Sequence, residues 1–234
     1  MAVGHGSRDP RAARTLAELV ARVRASRPGT DVRIGYVEID RPLVGDVLAG
    51  LAGEAVVVPL LLGRGYHVKH DLPRALADAA HLRGAVAPAL GPHPLLARAL
   101  HDRLAQAGWT DDGQAVVLAA AGSRDPEATR DTERTAALLS ARLGGVPVVP
   151  AYASAARPTV SQAVDGLAAR GLRRIAVASC FTAPGRFAAQ SAAAAPWIVS
   201  APLGAHPAMA ELVLRRYDEA CAGLPRRTPG GVRT

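Results

Sequence analysis

The stretch Gly4-His5-Gly6-Ser7-Arg8-Asp9-Pro10 has a close copy later in the chain, Ala120-Ala121-Gly122-Ser123-Arg124-Asp125-Pro126. Corresponding residues lie 116 positions apart in a sequence of 234 residues. In both copies a short apolar run precedes the Gly-Ser-Arg turn, and an Asp-Pro pair follows it. This pattern is typical of a strand that turns into a helix whose first turn is capped by aspartate. The sequence therefore predicts two related halves.

Three further segments recur in the second half. They are Gly35 to Pro42 with Ala151 to Pro158, Val58 to His67 with Ala178 to Phe187, and Leu90 to Pro94 with Leu203 to Pro207. We assign residues 1–112 to the first half and 113–222 to a degenerate second half, which agrees with the usual size of a domain. Residues 223–234 are rich in Gly, Pro and Arg, and this composition predicts a flexible tail.

Short apolar runs alternate with amphipathic stretches along both halves. The runs predicted as buried strands are 32–37, 55–62, 115–120, 146–149 and 175–181. The segments between them have helical periodicity, and Asp9, Asp40 and Asp125 each mark a helix start. The alternation predicts an α/β fold of two tandem halves, each a small parallel sheet flanked by helices. The first strand is short, because only Met1 to Val3 precede Gly4.

Composition and charge exclude several classes of function. The net charge is +8, but the basic residues are interspersed with acidic ones and only 3% of residues are aromatic, so we expect no nucleic-acid partner. The one lysine, Lys69, has no glycine-rich loop before it, which argues against ATP-driven chemistry. No apolar run is long enough for a membrane span, and no signal peptide is evident. We expect a cytoplasmic protein with no membrane partner; its oligomeric state stays open.

Two histidines and a glutamate follow predicted strands of the first half. His5 comes after the first strand, Glu38 after the second and His67 after the third. Because the carboxyl ends of parallel strands meet at one edge of a sheet, these residues can converge in a crevice. Two imidazoles and a carboxylate suit Fe²⁺, Co²⁺, Ni²⁺ or Zn²⁺, and three ligands leave coordination positions open. The second half has Ala121, Ser154 and Phe187 at the corresponding positions.

Each of these residues also has a purely structural interpretation. His5 is then a helix-capping turn residue, although Ala121 keeps the same turn without a histidine, and Glu38 is a solvated loop carboxylate. Ser7 and Arg8 form a turn whose N–H groups can hold an anion, but the repeat of this turn favours a structural role equally. Arg64 and Lys69 either meet substrate carboxylates or are solvated charges. The remaining histidines near these motifs, His70, His93 and His206, are expected to be exposed or part of turns.

These motifs together resemble the class II tetrapyrrole chelatases, in particular the two-domain sirohydrochlorin chelatases. The resemblance rests on Gly4 to Arg8, on Val37-Glu38, on the segment Pro59 to Pro73 that contains His67, and on Leu90 to Pro94. It implies ATP-independent insertion of Fe²⁺ or Co²⁺ into sirohydrochlorin, a polycarboxylate tetrapyrrole, in siroheme or cobalamin biosynthesis. The metal is a substrate, and no permanently bound cofactor is expected.

The resemblance also implies roles for individual residues. His5, His67 and Glu38 carry over as catalytic and metal-binding residues at one site per chain, which is expected in an active-site cleft between the halves. Candidates for binding the substrate are Ser7, Arg8, Arg64 and Lys69. Two alternatives remain at this point. One is a non-catalytic protein that binds a tetrapyrrole or a metal. The other is an enzyme that binds a phosphate at the turn Gly6-Ser7-Arg8.

Overall fold

A computed structural model describes residues 1–224, so residues 225–234 of the predicted tail lie outside the described part. The first half contains β1 (Ala2–Gly4), α1 (Pro10–Ser26), β2 (Ile34–Tyr36), α2 (Val44–Ala49), β3 (Glu54–Pro59), a π-helical turn (His67–Asp71), α3 (Leu72–Asp78), β4 (Arg83–Val86) and α4 (Pro94–Gln106). The second half contains β5 (Ala115–Ala120), α5 (Pro126–Arg142), β6 (Val148–Tyr152), α6 (Val160–Ala169), β7 (Ile175–Ser179), α7 (Arg186–Ala192), β8 (Ile198–Val199) and α8 (Pro207–Gly223).

Each half forms one parallel four-stranded sheet. The strand orders are β2-β1-β3-β4 and β6-β5-β7-β8, and all paired strands run parallel. The α/β prediction of two tandem halves is therefore confirmed. β1 is short, with three residues against six in β5, as the sequence predicts. In both sheets the strand order reverses at the first strand of the half, and ligands commonly bind at such a switch point.

Side chains at the helix N-termini explain why the helices begin where they do. The carboxylates of Asp9 and Asp125 accept the N–H groups of the second residue in α1 and α5. His93 and His206 cap α4 and α8 in the same way, through Nδ1. The prediction that Asp40 starts a helix is wrong. α2 begins at Val44, and the Asp40 carboxylate instead accepts the backbone N–H of Ser7 at 2.9 Å.

The two sheets share one hydrophobic core. Alternate residues of β5 face opposite sides, so that Val116 and Leu118 lie in the shared core while Val117 lies in an outer cluster of the second half. Val56 of β3 and Leu100 of α4 join the same shared core from the first half. The halves therefore pack against each other through this shared core, and each half also has an outer hydrophobic cluster of its own. No helix within residues 1–224 has both the length and the apolar character needed to cross a membrane.

Candidate active site

The turns that follow β1 and β2 are packed tightly against each other. Gly6 has φ of +105°, and a Cβ on this residue would lie 1.8 Å from the carbonyl oxygen of Glu38. Only glycine permits this approach. The backbone N–H of Glu38 also donates to the carbonyl oxygen of His5 at 3.0 Å. The packing brings the His5 Nδ1 to 3.6 Å from the Glu38 Oε1, and both side chains are about half exposed.

His67 begins the π-helical turn that leads into α3. Its carbonyl oxygen accepts the N–H of Leu72, five residues later, and such turns are frequent at functional sites. The His67 Nδ1 lies 2.5 Å from the Asp71 Oδ2. An ionised carboxylate only accepts hydrogen bonds, so in the neutral imidazole Nδ1 carries the proton and the lone pair is on Nε2.

The predicted residues of the first half do come together. The rings of His5 and His67 meet edge to face, with centroids 4.8 Å apart and an interplanar angle of 85°. One ring follows β1 and the other follows the neighbouring strand β3, so both lie at the switch point of the first sheet. Within residues 1–224, no three or more His, Cys, Asp or Glu side chains already have the arrangement of a metal site. The pair of imidazoles is accessible and not enclosed in a preformed ligand cage.

Ser7 and Arg8 differ in what they can offer a ligand. The Ser7 Oγ accepts the N–H of Asp9 at 3.1 Å, and the Ser7 N–H donates to Asp40. Because Ser7 already has both partners and carboxylates stand beside it, the turn is a poor phosphate site. The alternative of a phosphate-binding enzyme loses its structural basis. Arg8 is exposed to solvent at the same edge of the sheet.

Arg64 and Lys69 form ion pairs with the second half. Arg64 Nη2 lies 2.8 Å from the Oδ1 of Asp131, and its Nη1 lies 3.3 Å from Glu127. Lys69 Nζ lies 2.7 Å from Asp125 and also contacts Glu127. We call these five residues the interhalf clasp. It contains two cations and three carboxylates, so it does not present a positive surface to a polyanion. That Arg64 and Lys69 bind substrate carboxylates stays a prediction, and the ion pairs that the structure shows do not support it.

The hydrogen bonds of the interhalf clasp shift the pKa values of its members. The hydrogen bond from Lys69 lowers the pKa of Asp125 and of Glu127, and the hydrogen bond with Asp131 raises the pKa of Arg64. Asp131 itself is 1% exposed, so Arg64 supplies the charge that balances a buried carboxylate. The segment that carries His67 is thereby fastened to α5 of the other half.

Sequence analysis missed Asp71 and the acidic partners of the interhalf clasp. Asp71 had a local signal, because it lies four residues after His67 and side chains at this spacing meet on a helical turn. Asp131 had no such signal, since it is 67 positions from Arg64.

The corresponding crevice of the second half has no ionisable pair. Ala121, Ser154 and Phe187 stand where the first half has His5, Glu38 and His67, and Ser191 stands at the position of Asp71. The hydroxyl of Ser154 donates to the carbonyl oxygen of Ala121 at 2.9 Å, within its own turn.

Comparison with known protein families separates the same two halves. The CbiX family model matches residues 1–107 and again residues 115–220. The chain belongs to the CbiX family. Membership in this family confirms the resemblance that the sequence motifs indicate.

Named relatives of this CbiX family member are chelatases. Sirohydrochlorin ferrochelatase of Bacillus subtilis (strain 168) is 27% identical over 173 residues, which cover 70% of this chain and 66% of that protein, just under two thirds of its length. Sirohydrochlorin cobaltochelatase of Methanococcoides burtonii is 29% identical over 119 residues, 44% of this chain and 91% of that protein. The solved structure of SirB from Bacillus subtilis with Fe³⁺ superposes with a TM-score of 0.76 at 25% identity and covers 94% of both chains.

Proposed function

We propose that this protein inserts a divalent metal ion, Fe²⁺ or Co²⁺, into sirohydrochlorin without ATP. The observation that carries the proposal is the contact between His5 and His67 at the switch point of the first sheet, with one carboxylate beside each ring. The names of the relatives indicate sirohydrochlorin as the substrate. Two imidazoles and a carboxylate are groups that can bind the metal ion and accept protons from such a substrate. The proposal includes a cytoplasmic location and no permanently bound cofactor.

The first requirement of the reaction is proton removal. A divalent ion replaces two pyrrole N–H protons, so the site must offer two acceptors close to the centre of the macrocycle. Two imidazoles suit this task, because the ordinary pKa of histidine lies near neutral pH. Asp71 holds the Nδ1 proton of His67, which leaves the Nε2 lone pair available for a proton or a metal ion. Glu38 stands beside His5 and assists it in the same crevice.

The second requirement is a metal site that releases its ion. Imidazole nitrogens bind Fe²⁺ and Co²⁺ well, and a set of two imidazoles and one carboxylate leaves positions open for the pyrrole nitrogens. The side chains of His5 and Glu38 are 46% and 52% exposed, which gives the ion a route in and out. Both metals use the same types of ligand, so this set accepts either one.

The third requirement is orientation of a polycarboxylate. Arg8 is exposed beside the crevice, and Arg124 and Arg186 are exposed at the corresponding edge of the second half. We propose that these arginines meet the peripheral carboxylates, because guanidinium groups bind carboxylates in a bidentate way. Ser7 contributes the turn that places Arg8.

An anaerobic assay with substoichiometric protein tests the proposal. Sirohydrochlorin is mixed with Fe²⁺, Co²⁺ or Ni²⁺, singly and in competition, and the visible spectrum is followed over many equivalents. We expect the spectrum of the metallated product to accumulate well beyond one equivalent of protein. A protein that only binds the tetrapyrrole or the metal would change the spectrum by one equivalent and then stop, and this result would refute the proposal. The double variant His5→Ala/His67→Ala is the matched control.

A further inference from the structure

Two large hydrophobic side chains, Ile39 and Tyr66, are exposed within residues 1–224. Ile39 is 54% exposed and Tyr66 is 65% exposed. Both are chain neighbours of the candidate site, since Ile39 follows Glu38 and Tyr66 precedes His67. Single exposed hydrophobic residues are ordinary on a protein surface, but each of these two is next in the chain to a residue of the candidate site.

The backbone of Ile39 is unfavourable for its side chain. Its φ is +65°, a left-handed conformation in which a β-branched residue is a genuine outlier. The conformation is fixed by a tight turn, in which the N–H of Asp40 donates to the carbonyl oxygen of Glu38 at 2.7 Å. A residue that is both strained and exposed gains little stability from its position, and strain of this kind points to a function.

The second half shows that the turn does not need isoleucine. Ala155 occupies the corresponding position with φ of +56°, and the same hydrogen bond joins the N–H of Ala156 to Ser154 at 2.7 Å. The backbone is therefore kept while the branched side chain is absent. The first half has isoleucine at this position, where it has no role in holding the turn.

Tyr66 differs between the halves in the same way. Its ring centroid lies 4.6 Å from that of His70 and 6.5 Å from that of His67. The corresponding residue of the second half is Arg186. Both exposed apolar side chains are thus absent from the half that also lacks the histidines and the glutamate.

We propose that Ile39 and Tyr66 bind the face of the tetrapyrrole macrocycle and position its centre over His5 and His67. This inference rests on the proposed function. A tetrapyrrole has a flat conjugated ring inside a border of carboxylates, so charged residues hold its edge and apolar residues must hold its face. Tyr66 provides an aromatic surface for stacking next to His67, and Ile39 provides a branched aliphatic contact next to Glu38.

Titration with metal-free sirohydrochlorin tests this inference apart from catalysis. The dissociation constant is measured from the tetrapyrrole spectrum for wild type, Ile39→Gly, Tyr66→Ala and Tyr66→Phe, together with thermal unfolding of each protein. We expect Ile39→Gly and Tyr66→Ala to weaken binding about tenfold, and Tyr66→Phe to stay within about twofold of wild type. Ile39→Gly should at the same time raise Tm by about 2–4 °C, because glycine relieves the left-handed strain.

Ala155→Gly is the matched control, because it makes the equivalent change in the second half. We expect it to keep the dissociation constant of wild type. Unchanged binding in both Ile39→Gly and Tyr66→Ala would overturn the inference even if the wild-type protein turns over sirohydrochlorin. A wild-type protein that neither binds nor metallates sirohydrochlorin would instead overturn the proposed function and this inference with it.

Discussion

The turn after β1 and the turn after β5 have one backbone and two sets of side chains. A Cβ on Gly6 would lie 1.8 Å from the carbonyl oxygen of Glu38, and a Cβ on Gly122 would lie 1.9 Å from that of Ser154. Close packing of backbone on backbone requires glycine in both places. The turns themselves do not require His5 and Glu38, because the second half keeps the same turns with Ala121 and Ser154. Steric constraints persist in both halves, whereas the histidines and the glutamate of the candidate site are confined to one.

The comparison extends to residues that support the site. Where His67 becomes Phe187, its carboxylate partner Asp71 becomes Ser191. The interhalf clasp is equally one-sided, because Lys69 corresponds to Ala189. The half with the imidazoles is also the half whose loop is fastened to its neighbour. The second half acts as the support against which the loop of the first half is held.

Removing either imidazole should have the largest effect. We expect His5→Ala and His67→Ala each to lower turnover of sirohydrochlorin at least about a hundredfold, because each removes one of the two proposed proton acceptors. His206→Ala is the comparison variant; it should keep turnover and lose about 1 kcal/mol of stability with the cap of α8. Equal losses of turnover in all three variants would contradict the claim that only the first half carries the active site.

Replacing Asp71 should have the next largest effect on turnover. We expect Asp71→Ser, which installs the residue of the second half, to lower turnover about tenfold to a hundredfold, because His67 loses the partner that fixes its tautomer. Asp71→Asn keeps an acceptor oxygen for the Nδ1 proton and should recover part of the loss. The measurement is steady-state metallation at saturating substrate. Identical turnover of Asp71→Ser and wild type would remove Asp71 from the site.

Breaking the interhalf clasp should mainly affect stability. Arg64→Ala leaves the buried carboxylate of Asp131 without its cation, and we expect a loss of about 2 kcal/mol in the free energy of unfolding, discounted because Arg64 is partly exposed. Lys69→Ala should cost less stability than Arg64→Ala, and its effect should depend on salt. Urea unfolding measures both. The double variant Arg64→Ala/Asp131→Leu removes the buried carboxylate as well. If it is no more stable than Arg64→Ala alone, the unpaired charge of Asp131 is not the cause of the lost stability.

The pH dependence of stability should be the smallest effect and the same in kind for both halves. Burial lowers the pKa of His206 and of His93, each of which caps a helix as neutral imidazole. As pH falls below the ordinary value of about 6.5, the unfolded chain therefore binds more protons than the folded one. This contribution is complete above that pH and is lost as pH falls through it towards the lower pKa of the folded protein.

The test is Tm between pH 7.5 and pH 5 for wild type and His206→Asn, since asparagine keeps the cap without titrating. The decline should be shallower in His206→Asn. His93→Asn should also make the decline of Tm shallower, which would show that both halves contribute to the pH dependence through a histidine cap. Curves that coincide for all three proteins would exclude both histidines as its origin.

Local patterns in the sequence predicted much of the molecule. The duplicated Gly-Ser-Arg-Asp-Pro turn predicted the two halves, and the apolar runs predicted the strands. Both signals are local, because turn geometry and strand burial depend on residues that are neighbours in the chain. The meeting of His5, Glu38 and His67 also followed, because parallel strands end at a common edge. Asp40 was assigned wrongly as a helix start, since a carboxylate near a proline has the same local signature whether it caps a helix or binds the N–H of a distant turn.

What the sequence determined by itself is the duplication, the α/β order of elements and the residues that make the halves unequal. Each of these depends on the identity or spacing of residues that are close in the chain. Only the tertiary structure decided that the halves share one core, that Arg64 and Lys69 hold the halves together, and that Ile39 is strained. The interhalf clasp joins residues 56 to 67 positions apart, the shared core joins residues of both halves, and the strain of Ile39 arises in a turn shaped by its neighbour. No local pattern in the sequence encodes such contacts.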